Sequence, residues 1–156
     1  MIRLDPTDVI AARTGDRAAL ARVVQSAERP VFNLAMRMLA HRADAEDATQ
    51  EILIRLVTHL GTVEEPAAAG AWAMKVAMRH LTATRLRGRV EALRLSFEGF
   101  AADLDQGRAP LEQAELTEAE QRIAVEEVKI GCTLALLTCL SRDQRAAYVL
   151  AAVYGM

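Results

Sequence analysis

A chain of 156 residues has room for one ordinary domain or two small ones, and with 52% apolar residues it can bury a core. Its 19 Lys and Arg stand against 21 Asp and Glu, a net charge of −2, which excludes a globally basic nucleic-acid binder and makes any cationic surface local. Aromatics at 4% are too few for a β-sandwich or barrel, and an Ala-rich chain with only 8 Gly favours helix.

The predicted elements are helical throughout. A short first helix fits Asp5 to Arg13, with Asp5 as cap, Pro6 in the first turn and Gly15 beyond the end. Asp16 caps a longer helix whose apolar positions are Leu20, Val23, Val24, Ala27, Val31, Leu34, Ala35 and Met38. Pro30 falls inside that pattern and is expected to kink or interrupt it. A third helix opens at Asp44, with a core face of Leu53, Leu56, Val57 and Leu60, and stops at Gly61. Gly61 to Gly70 reads as a loop. A fourth helix is expected from Ala71 to Leu86, with Trp72, Met74, Val76, Met78 and Leu81 on its apolar side. From Glu98 to Glu127 the acids Glu98, Asp103, Asp105, Glu112, Glu115, Glu118, Glu120, Glu126 and Glu127 are opposed only by Arg108 and Arg122, as expected of a linker. Helical spacing resumes near Thr117, with Ile123, Ile130, Leu134 and Leu137 on one face. Ser141 and Gln144 form a capping-box pair that opens a last helix.

Charge is segregated. Between Ala71 and Arg94 lie Lys75, Arg79, Arg85, Arg87, Arg89 and Arg94, with Glu91 the one acid and His80 adding a hydrogen-bonding ring. Lys75 and Arg79 are four apart and share a helical face beside Trp72, a surface suited to phosphates and unstacked bases. The bland alternative is a solvated helix face. The acidic counterpart is Asp44, Glu46, Asp47 and Glu51, with Gln50 between, in the first two turns of the third helix. It suits a basic partner protein, and equally suits acids that only complement the helix dipole.

Catalytic signatures are missing: the chain has no Ser-His-Asp arrangement, no HExxH and no GxxxxGK[ST], and a non-enzymatic role is expected. Cys132 and Cys139 would lie two turns apart on a helix, beyond disulfide reach, and read as small apolar side chains in a reducing compartment. His41, His59 and His80 have no Cys or His at zinc spacing, so neither metal nor cofactor is expected. No run of about 20 residues is uniformly apolar, and MIRLDPTDVI lacks a signal-peptide core, so a cytoplasmic location is expected.

Two motifs carry a family resemblance. DAEDATQEILIRL (Asp44 to Leu56) resembles the D-A-E-D-x-x-Q-E-x-[FLI]-x-[RK]-[LA] signature in region 2 of bacterial sigma factors. AWAMKVAMRHLTATRLRGR (Ala71 to Arg89) is similar to the family's W-L-x-x-I-A-R-N-x-x-x-D-x-x-R-R helix, with His80 where Asn is usual and Thr84 where Asp is common. Their order and spacing resemble the extracytoplasmic-function group. ALLTCLSRDQRAAYVLAAVYGM (Ala135 to Met156) is similar to the opening of region 4, and stops before the helix-turn-helix.

The resemblance implies an all-α fold: a region 2 domain over 1–95, an acidic linker over 96–116 and an incomplete region 4 over 117–156. It implies that Asp44, Glu46, Asp47, Gln50 and Glu51 bind the β′ clamp helices of the RNA polymerase core. It likewise assigns Trp72, Lys75, Arg79 and His80, the arginines Arg85, Arg87 and Arg89, and the loop Gly61 to Gly70 to recognition and melting of promoter DNA. An anti-sigma factor is a further expected partner. The alternative is a sigma-like interaction protein that binds an anti-sigma factor or polymerase without driving transcription, and a third reading is a plain helical dimerisation module. The apolar faces carrying Ile130, Leu134, Leu137 and Leu150 are expected to pack on the N-terminal domain or on a second copy, as a homodimer.

Overall fold

A computed structural model describes residues 1–83, 96–99, 101–102, 118, 122 and 132–155. Among these all regular structure is helical, as the composition and spacing predict. Helix α1 spans Pro6–Arg13, α2 Arg17–Leu39, α3 Arg42–His59 and α4 Ala69–Ala83. Two short 3-10 turns, Leu60–Thr62 and Pro66–Ala68, join α3 to α4. After a helical run at 132–138 comes α5, Arg142–Tyr148, which widens into a π-helical turn over Val149–Val153. Arg85, Arg87 and Arg89, most of the acidic linker and Ile130 lie outside the described residues.

Local chemistry sets the helix ends. The Asp5 carboxylate accepts from Thr7 N at 2.8 Å, and Asp16 from Ala18 N at 2.8 Å and Ala19 N at 3.1 Å. These bonds satisfy amides that the first helical turn leaves without partners. Bonding to Thr7 also holds the Asp5 carboxyl below the usual carboxylate range. Helix α3 begins two residues before the expected Asp44, because His41 caps it: its Nδ1 accepts from Asp44 N at 3.4 Å. The turn between α2 and α3 is made by Ala40 in the left-handed region (φ 53°), whose N–H returns to Met36 O at 2.9 Å.

Pro30 does not interrupt α2, which runs continuously through it. The proline leaves the Ser26 carbonyl without its helical donor, but Ser26 is exposed and water can serve that oxygen. On the opposite side Ala27, Val31 and Leu34 are all buried, and their packing holds both halves of the helix.

The core lies between α2, α3 and α4. Val31, Leu34, Ala35, Met38 and Leu39 of α2 meet Ala45, Ala48, Ile52 and Leu56 of α3 and Ala73, Met74, Ala77, Met78 and Leu81 of α4. The inner stripe of α3 differs from the expected one. Leu53 is only half-buried and Val57 is exposed, whereas Ala45, Ala48, Thr49, Ile52 and Leu56 face inward. Small Ala side chains let α3 approach α2 closely, and that fixes its rotation. The one buried hydroxyl on that stripe, Thr49 Oγ1, donates to Ala45 O at 2.6 Å. A smaller cluster of Val9, Val23, Leu60, Val63 and Ala69 seats α1 and the connecting turns, and Trp72 is half-buried against both clusters.

The C-terminal segment shares the main core. Leu137, Ala146 and Val149 are buried in it, and Leu140, Leu150 and Tyr154 pack against its edge. For Leu137 and Leu150 the expected cover is supplied within the chain; Ile130 lies outside the described residues. The capping box is also formed: Gln144 N donates to Ser141 Oγ at 3.3 Å and Ser141 N to Gln144 Oε1 at 3.0 Å.

Gly70 is the position with least tolerance. It lies inside the first turn of α4, and a Cβ there would stand 2.4 Å from the main-chain oxygen of Ile2, whose side chain is buried. Gly70→Ala is therefore expected to push the N-terminal segment off the bundle and to lower stability by about 1–3 kcal/mol, measured by urea denaturation.

Candidate docking and nucleic-acid faces

Helix α4 is enclosed on most sides, and its exposed residues form one stripe, Ala71, Lys75, Arg79 and Ala83, spaced four apart. Both cations that the sequence assigned to nucleic acid among the described residues therefore share one line on the surface. Trp72 is turned inward and packs; His80 is buried, at 7% exposure. The spacing of Ala73, Ala77 and His80 already put that ring on the inner side.

Helix α3 displays the acids. Glu46, Asp47, Gln50 and Glu51 are exposed and Asp44 is half-buried. One of them is engaged locally, Arg42 Nε donating to Glu46 Oε1 at 2.8 Å; Asp44 Oδ2 lies 3.3 Å from His41 Nδ1, the nitrogen that accepts from Asp44 N. Asp47, Gln50 and Glu51, three and four residues apart, make the accessible part of the face. Ile54, 65% exposed, continues it by one turn. An acidic surface with an apolar side chain at its edge fits a cationic, partly apolar partner.

The two faces meet in a cleft between α3 and α4. It encloses about 400 Å³ and is lined by Glu51 and Arg55 of α3 and by Val76, Arg79, His80 and Ala83 of α4. At its floor His80 Nε2 lies 3.7 Å from Glu51 Oε2. Burial pushes the His80 pKa below the ordinary histidine value; the nearby Arg55 cation pushes the same way and Glu51 opposes them. The neutral ring keeps one nitrogen that accepts and one that donates, so the cleft offers two guanidinium groups, a carboxylate and an imidazole. Arg55 was not singled out in the sequence. Its signal was its place four residues after Glu51, on the same side of α3.

The histidine makes a prediction with a definite sign. Its folded-state pKa lies below the unfolded value of about 6.5, so below that pH the unfolded chain binds more protons. The stability contributed by the neutral ring is complete above pH 6.5 and is lost as pH falls below it. By imidazole NMR, His80 is expected to titrate below 6.5, and Glu51→Gln to lower its pKa further.

Residues 23–90 match the family model for Sigma-70 region 2. No curated protein and no solved structure matches the chain.

Proposed function

We propose that this chain works as a sigma factor of the extracytoplasmic-function type, carrying a region 2 over 1–95, an acidic linker over 96–116 and the opening of a region 4 over 117–156. The observation that carries the reading is the exposure of Asp47, Gln50 and Glu51 on one face of α3, inside the segment that matches region 2. In this reading the acidic face docks on the β′ clamp helices of the RNA polymerase core, with Glu46 and Asp44 at its margin. Charge guides the encounter, and the contacts at the centre set the lifetime.

The stripe of Lys75 and Arg79 then engages the phosphates of melted promoter DNA, extended by Arg85, Arg87 and Arg89. Phosphate contacts supply affinity and position, and sequence choice rests with bases flipped out against the loop and α4. Trp72 acts from beneath, as the anchor that fixes α4. His80 lies at the cleft floor beside Glu51. The site is cytoplasmic in this reading, and an anti-sigma factor is a further partner.

Two measurements test it. In a pull-down of RNA polymerase core, Asp47→Ala/Glu51→Ala is expected to weaken retention at least tenfold, about 1.4 kcal/mol; equal retention of the wild type and the variant removes the docking assignment. With single-stranded promoter DNA, Arg79→Ala is expected to weaken binding and to reduce the slope of log affinity against log salt by about 0.7; an unchanged slope removes that contact. Core binding without transcription would favour the sigma-like interaction protein instead.

A further inference from the structure

Arg145 and the two arginines of the α3–α4 cleft are held in opposite ways. Arg145 is almost completely enclosed, at 1% exposure, and its guanidinium is spent on main-chain carbonyls. Nε donates to Leu137 O at 2.6 Å, Nη2 to Leu140 O at 3.1 Å, and Nη1 to Met38 O in the last turn of α2. Carbonyls at a helix end have no donor from the helix itself, so this cation ties the fold together. Arg55 and Arg79 are exposed, and neither side chain forms an ion pair or a hydrogen bond among the described residues. They come from different helices, yet both line the one cleft, with Glu51, Val76, His80 and Ala83.

His80 is a second and independent sign. Its ring is 7% exposed and makes no hydrogen bond among the described residues. The 3.7 Å from Nε2 to Glu51 Oε2 exceeds hydrogen-bond length. No buried side-chain nitrogen or oxygen is sealed from water without a partner, so the ring nitrogens reach water, and the cleft is the opening that the ring lines. An oxygen that enters the cleft can take the place of that water.

The lining favours an anion. Two guanidinium groups stand against one carboxylate, Glu51, whose side chain is 56% exposed. Burial keeps the His80 ring neutral at neutral pH, and a neutral ring still has one nitrogen that donates. Guanidinium forks match the oxygens of a phosphate group. The volume, about 400 Å³, lies in the range of small-ligand sites. Arg79 also belongs to the exposed stripe with Lys75, so the cleft opens at the edge of the cationic face.

We propose that this cleft is a phosphate site: Arg55 of α3 and Arg79 of α4 clamp one phosphate of a nucleic-acid backbone between the two helices, and the His80 ring donates to it from the floor. The proposal rests on the reading of α4 as the nucleic-acid face. It adds to that reading a residue of α3 and a fixed place for one phosphate.

Binding of a labelled oligothymidylate to the whole chain tests it, because phosphate contacts carry no sequence preference. Both arginines are exposed, so glutamine at either position leaves the core intact. Arg55→Gln and Arg79→Gln are each expected to weaken binding about threefold or more at low salt, and the double variant to lose clearly less than the product of the two, since both grip one phosphate. Glu51→Gln removes the carboxylate of the lining and is expected to tighten binding. Weakening by only one of the two arginine variants overturns the clamp, and where that one is Arg79→Gln the nucleic-acid face still stands. Weakening by neither overturns both. Losses that multiply in full put the arginines on separate phosphates and overturn the clamp as well. The source of the phosphate is read from the His80 ring signals by NMR. Oligothymidylate is expected to shift them in the wild type and to leave them in place in Arg55→Gln. Inorganic pyrophosphate that shifts them where oligothymidylate does not overturns the nucleic-acid source.

Discussion

Burial of a single stripe on α2 is the constraint that the other helices answer to. Val23 at one end belongs to the small cluster with α1 and the connecting turns; Ala27, Val31, Leu34, Ala35 and Met38 belong to the main core. Because the stripe is continuous through Pro30, α1 and the segment 132–155 pack on the same rod although they are far apart in sequence. A long helix makes this possible at small cost, since each added residue gains a hydrogen bond once the first turn exists. The acidic face of α3 and the cationic stripe of α4 are the outer surfaces left over once each helix has turned its inner stripe to α2.

Much of this was legible in the residues. The spacing of Val23, Ala27, Val31, Leu34 and Met38 announces the α2 stripe, and Asp5, Asp16 and Ser141 announce their caps. The misreadings have physical causes. Histidine is an uncommon cap, so His41 hid the start of α3, and a proline within a strongly packed helix costs one hydrogen bond rather than the helix. The acidic and basic faces were legible as helix faces because periodicity within one helix is a local property. Their meeting in one cleft was not, because the rotation of α3 against α4 is decided by Ala and Met side chains that carry no pairing code. Arg145 was least legible of all. It sits among polar residues in an ordinary amphipathic pattern, and its partners are backbone oxygens, which no side-chain motif spells out.

The near-neutral charge of the chain is thus a sum of separated parts. Within the α3–α4 cleft one carboxylate, Glu51, stands with two guanidinium groups, Arg55 and Arg79, and a neutral imidazole, so the acidic face passes into the cationic one across this lining.

The bond from Arg145 to Met38 joins residues 107 positions apart. Chains leave the ribosome at about 5–20 residues per second, so the end of α2 waits roughly 5–20 s for its guanidinium after Met38 itself has been made. Until then the Met38 carbonyl, in the last turn of α2, is left to water.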